Sequence, residues 1–259
     1  MCRTPGDGWA TPAVLDLVEE IRDMQGHTPA ERAGLLGLVI AIHPQSGGTN
    51  ETYQCVLNDG TVWYHKPFSG LQGVLAARYG QVEALQPIHE AAAWRLAEQL
   101  GGPWAAMVPL CLIRDIEYVT LAGAKDELGS FAAHRAGSEG GDYLAVPSWE
   151  AAAFFDALIG QQDRHEGNYL MDGHRLTIID HGYAFARPGD RCSSGYLQED
   201  RHAMSPALTP VEISALTRLL ASSDLLGMRR CLESDRSAAL EGRALRMLAS
   251  GIVLAPGDY

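Results

Sequence analysis

Gln161-Gln162-Asp163-Arg164-His165-Glu166-Gly167-Asn168, then Tyr169-Leu170-Met171, an Asp172-Gly173 turn and Arg175-Leu176-Thr177-Ile178-Ile179-Asp180-His181-Gly182, form the stretch on which the fold turns. Two short runs on either side of Asp-Gly predict a tight β-hairpin, and polar residues bracket it. Taken alone, Asp163 and Asn168 are an ordinary loop pair, because Asn is a common turn residue. Their weight comes from what stands around them in order.

Working outward, residues 149–159 predict a helix capped by Pro147-Ser148 and stopped by Gly160, with Phe154, Phe155, Leu158 and Ile159 to cover a core. Further upstream, Asn58-Asp59-Gly60 separates two alternating runs, a second hairpin whose outgoing arm ends Tyr64-His65-Lys66-Pro67. Lys66 is one of only two lysines in the chain, with Lys125. The Ala-rich run 89–100 predicts a helix halted by Gly101-Gly102-Pro103, with Glu90 in its first turns. Residues 108–113 and 118–121 read as two strands. The Gly-, Ser- and charge-rich stretch 123–142 reads as a lobe boundary or insertion. Thr11-Pro12 opens an amphipathic helix that runs to Gly26, Thr28 to Glu31 spells a capping box, and residues 38–42 read as a strand. Residues 70–80 are expected to be a mobile connection. Downstream, Thr209-Pro210-Val211-Glu212 is a further capping box, and tandem helices finish the chain.

In sum, a strand lysine precedes a helix-start glutamate, an Asp-x4-Asn loop, a hairpin and an Asp-x-Gly. In Tyr64-His65-Lys66-Pro67, Glu90, Asp163 to Asn168 and Ile179-Asp180-His181-Gly182 the chain resembles the protein-kinase-like superfamily, in particular the atypical branch of phosphatidylinositol 3/4-kinase-like and bacterial HipA-like kinases. The resemblance spans roughly residues 46–185. It implies an α+β fold of two lobes: an N-terminal lobe of antiparallel strands with the Glu90 helix (1–136), and a helical C-terminal lobe carrying the catalytic hairpin (137–259). It also implies an ATP-dependent phosphotransferase acting on a hydroxyl, most closely an atypical protein Ser/Thr kinase. Phosphoryl transfer rests on positioning and charge neutralisation, and the residues are read accordingly. Lys66 contacts the nucleotide phosphates and pairs with Glu90. Asp180 and Asn168 offer oxygen ligands to Mg2+, and Asp163 is the base or orienter of the acceptor hydroxyl. His165 either assists Asp163 or packs beneath the loop, and Arg164 ties the loop to a carboxylate. The loop Ser46, Gly47, Gly48, Thr49 and Asn50 reads either as a phosphate cradle or as a plain turn, and lacks the glycine spacing of typical protein kinases. The adenine pocket is expected within residues 128–135. His181 stands where typical protein kinases carry an aromatic residue.

Composition limits the alternatives. The chain has 259 residues, 46% of them hydrophobic and 20% charged, which are globular values. A net charge of −12 opposes binding to nucleic acid or to an anionic membrane and mildly favours cationic acceptors. No apolar run reaches the length of a membrane span, and no signal-peptide pattern is seen, so a cytoplasmic location is expected. Five scattered cysteines without a C-x-x-C, and ill-spaced histidines 165, 174 and 181, oppose a zinc site. The competing readings are a small-molecule kinase for an antibiotic, sugar or lipid head group, a nucleotide-binding pseudokinase, and a nucleotidyl transferase.

Overall fold

The computed structural model describes residues 10–46, 50–71, 82–120, 123–190, 194–222 and 225–258. Two helices, α1 (Pro12–Asp23) and α2 (Pro29–Leu36), lead into the first lobe. Thr11 accepts from Val14 N at the start of α1, and the reciprocal Thr28–Glu31 capping box opens α2. The lobe is built on β1 (Val39–Pro44), β2 (Tyr53–Leu57), β3 (Val62–Pro67), β4 (Cys111–Thr120) and β5 (Gly123–Ala133), which form an antiparallel sheet in the order β1-β2-β3-β5-β4. Against it packs α3 (Gln86–Leu100), buried along almost its whole length, and short α4 (Gly102–Met107) follows.

Two expectations for this lobe are corrected. The strands read at 108–113 and 118–121 are one strand, β4. The polar residues that interrupt the apolar pattern are satisfied in place: Arg114 donates to the carbonyls of Gly34 and Gly37 at 2.5 and 2.6 Å, and Asp115 pairs with Arg22 at 3.2 Å. Much of the stretch read as a boundary or insertion is β5, paired with β4 along its length and with β3 over residues 129–133. Ladder pairing on both edges outweighs the weak strand propensity of its Gly and charged residues.

The second lobe holds α5 (Trp149–Ile159), α6 (Tyr196–Met204), α7 (Pro210–Ala221), α8 (Met228–Cys231) and α9 (Ser234–Ser250). The hairpin β8 (Tyr169–Asp172) and β9 (Arg175–Ile178) forms as its Asp-Gly turn predicts, and β6 (Ser138–Glu139) adds to its edge. The pair β7 (Asp163–Arg164) and β10 (Ser194–Gly195) runs parallel beside it. Thr209 and Glu212 form the expected capping box of α7. Ser148 does not cap α5: its backbone is helical and its side chain makes no capping bond, and the helix entry is held by Trp149 N donating to Val146 O at 3.0 Å. Gly160 ends α5 in the left-handed region at φ 60°. One apolar cluster runs from Val14 to Leu254 through both lobes, and α1 packs on α3, β4 and α8. Among the described residues no helix is long and apolar enough to cross a membrane.

Candidate active site

The alternation of β3 buries Trp63 and His65 on one face and turns Tyr64 and Lys66 to the other. That face roofs a cleft of about 760 Å³ lined from the first lobe by Gln45, Ser46, Asn50, Tyr64, Lys66 and Glu90, and from the second by Asp163, His165, Asn168, Leu170, Ile179 and Asp180. Ala132, Ala133, His134 and Arg135 close its side where β5 leaves the sheet. Lys66 Nζ donates to Glu90 Oε1 at 3.1 Å and to Asp180 Oδ1 at 2.6 Å, so one cation joins strand, helix and hairpin. Burial alone lowers the pKa of an ammonium, but the charges of Asp180 and Glu90 outweigh it and hold Lys66 above its ordinary value. Glu90 is the converse case. Burial raises its pKa, while Lys66 and then His181, whose Nδ1 lies 3.8 Å from Glu90 Oε2, pull the net position well below the usual carboxylate range.

Arg164 sets the geometry of the loop. Its guanidinium donates to both Asp156 oxygens, at 2.8 and 3.0 Å, and to the carbonyls of Asn168 and Ile179, so buried α5 grips both arms of the hairpin at once. The expected tie to a carboxylate is present, and Asp156 is the partner. Asn168 Nδ2 donates to Asp163 O at 2.6 Å, which leaves the amide oxygen as that side chain's remaining polar atom. Gln161 Nε2 donates to Asp180 O at 3.1 Å. Asp180 itself sits at φ 60°, a left-handed conformation that Asp tolerates better than most residues. Among the described residues no group of three or more His, Cys, Asp or Glu side chains could hold a metal ion by itself. An Asp with an Asn suits magnesium, which takes one or two protein oxygens and completes its shell with phosphates and water.

Lys66, Glu90, Asp163, Asn168 and Asp180, far apart in sequence, thus meet at one cleft. His165 is half exposed; its Nδ1 accepts from Gly167 N at 3.1 Å and its Nε2 lies 3.9 Å from Asp163 Oδ2. It therefore shapes the loop and also faces Asp163. Of the expected phosphate loop, Ser46 and Asn50 line the cleft, whereas Gly47, Gly48 and Thr49 lie outside the described residues, as does most of the connection at 70–80. Sequence reading missed Gln86, whose Oε1 accepts from Asn50 Nδ2 at 2.7 Å, and His89, whose Nδ1 lies 3.1 Å from Gly182 O. Gln86 stands one turn before both His89 and Glu90 on the same helix, whereas His89 and Glu90 are adjacent and point apart, so no local pattern marks either Gln86 or His89 as part of the site.

No protein-family model matches the chain, and no curated protein matches its sequence. Among solved structures, the chain is similar to the Golgi casein kinase with a TM-score of 0.57 and 13% identity, over 84% of this chain and 73% of that one. The same kinase with Mn/ADP bound gives a TM-score of 0.57 and 14% identity over the same shares. This is a two-lobed protein-kinase-like fold. The Helicobacter pylori proinflammatory kinase CtkA also matches, at a TM-score of 0.42 and 11% identity over 86% of this chain and 95% of that one. At 13–14% identity the likeness to the Golgi casein kinase establishes the fold alone and leaves activity to the site.

Proposed function

We propose that the protein is an ATP-dependent phosphotransferase that moves the γ-phosphoryl group to a hydroxyl, of the atypical protein Ser/Thr kinase type, with its lobes divided near residue 136. The observation that carries this reading is Lys66 joined to both Glu90 and Asp180 above Asp163 and Asn168 in one interlobe cleft. A cleft of about 760 Å³ is within the range of small-molecule sites. In this reading the base lies against residues 132–135, and Lys66 neutralises phosphate charge from the roof. Asp180 and Asn168 would hold Mg2+ from the floor, and the ion would supply charge neutralisation of the phosphates during transfer. Ser46 and Asn50 belong to the loop over the phosphates. Asp163 orients the acceptor hydroxyl and takes its proton as the new P–O bond forms and the bond to the ADP bridging oxygen breaks. His165, 3.9 Å from Asp163, supports that carboxylate. The Mn/ADP bound by the Golgi casein kinase fits the same cofactor class.

Replacing Asp180 by Ala tests the assignment. Turnover with Mg·ATP is expected to fall by about 10²-fold or more, the usual scale for removing one electrostatic stabiliser of a transition state. An Asp180→Ala protein that retains wild-type turnover contradicts it. A small-molecule acceptor is the second reading. The acidic composition favours a cationic one, and turnover of a diffusible substrate in the absence of any protein acceptor identifies it.

A further inference from the structure

The segment that follows the candidate metal turn is bolted to the last helix of the chain. Ala184, Phe185 and Ala186 are fully buried, and Phe185 is held at φ 61°, a conformation that a bulky side chain keeps only under external constraint. The constraint is visible. Phe185 N donates to Ile159 O at 2.6 Å, buried Arg236 of α9 donates to Phe185 O at 2.8 Å, and buried Arg243 of α9 donates to Ala186 O and to Leu158 O. From the other lobe, α3 approaches the same backbone so closely that a Cβ on Gly182 would stand 3.1 Å from Gln86 Cβ. One turn along α3, fully buried His89 meets the Gly182 carbonyl at 3.1 Å through Nδ1; a carbonyl only accepts, so Nδ1 carries the proton. The far edge of the ring faces α9, with Nε2 4.0 Å from Glu233 Oε2, and Arg236 Nε holds Glu233 at 3.3 Å. The ring also meets Phe185 edge to face at 5.6 Å.

We infer that His89 is a positioning residue: by holding the Gly182 carbonyl from α3 while the far edge of its ring faces Glu233 at the start of α9, it fixes the Asp180 turn relative to Glu90 and Lys66. His89 precedes Glu90 on the helix, and Gly182 lies two residues after Asp180, so this bond ties directly together the two backbones that carry the groups Lys66 must reach. The role for turnover rests on the phosphotransfer reading, whereas the clamp itself does not.

The test compares His89→Asn, whose amide N–H replaces the Nδ1 donor, with His89→Phe, which keeps a ring beside Phe185 and removes the donor. Backbone hydrogen exchange over residues 180–186 is expected to quicken at least about tenfold in His89→Phe and to stay near wild type in His89→Asn. Turnover with Mg·ATP is expected to fall by about tenfold or more in the Phe variant, as misplacement of a reacting group does, while metal-free ADP binding is unchanged. The Asn variant is expected to recover both exchange and turnover. Where His89→Phe does not fold, His89→Leu, smaller and likewise without a donor, takes its place. Equal exchange in donor-bearing and donor-less variants overturns the inference whatever the turnover. A wild-type protein that turns over no nucleotide overturns the proposed reaction instead, and the exchange comparison still decides the clamp.

Discussion

Lys66 and His65 are neighbours on one strand with opposite surroundings, and each has a measurable consequence. Lys66 stays charged because two carboxylates stand against it. His65 is fully buried beneath the sheet and bonds Tyr118 OH; burial pulls its pKa down to about 3, with the nearby Arg114 charge acting in the same sense. The folded His65 therefore resists a proton that the unfolded chain accepts near pH 6.5. Its contribution to stability is complete above that pH and is lost as the pH falls toward 3. Denaturant midpoints for wild type and His65→Asn are expected to converge on acidification, the wild type losing roughly 2 kcal/mol more than the variant between pH 7 and pH 4.5. Parallel curves contradict this reading. Sequence alone singled out Lys66, Glu90, Asp163, Asn168 and Asp180 because their chemistry and order are distinctive. It could not single out His65, His89 or Gln86. Each of these acts through a partner 36 to 93 positions away, and only the folded chain supplies that partner.

Among the elements, α5 carries the hairpin. Its apolar residues Phe154, Phe155, Leu158 and Ile159 are fully buried, and Asp156 on the same helix holds Arg164. Phe155 also meets His181 edge to face at 6.1 Å, directly beneath the Asp180 turn. Truncation to Phe155→Ala is expected to cost about 3–5 kcal/mol in urea denaturation, and wild-type stability in that variant would show that the helix does not rest on this contact. The start of the chain was legible because capping pairs such as Thr28 with Glu31 are local. β4 and β5 were misread for the converse reason. Arg114 and Asp115 look like loop residues until the carbonyls of Gly34 and Gly37 and the Arg22 guanidinium satisfy them from other elements. Ser148 failed as a cap because its backbone had already turned helical.

Across the whole molecule, the cleft joins parts of two lobes, so a ligand bridging Lys66 and Asp180 stabilises the folded form as a unit. Mg·ADP at a hundred times its Kd is expected to add about 2.7 kcal/mol to wild-type stability and much less to Asp180→Asn; equal shifts in both proteins would place the ligand elsewhere. The molecule's net charge of −12 disfavours a polyanionic partner such as nucleic acid. The most direct test of phosphoryl transfer is to follow label from γ-³²P-ATP and, separately, α-³²P-ATP into acceptors of a cytosolic extract, using wild type and Asp163→Asn. Phosphotransfer requires γ-label on an acceptor with release of ADP from wild type, and little or none from Asp163→Asn. Transfer of α-label means that the nucleotide binds reversed and AMP is attached, and the absence of any Asp163-dependent labelling means that the cleft binds nucleotide without catalysis; either result contradicts the account.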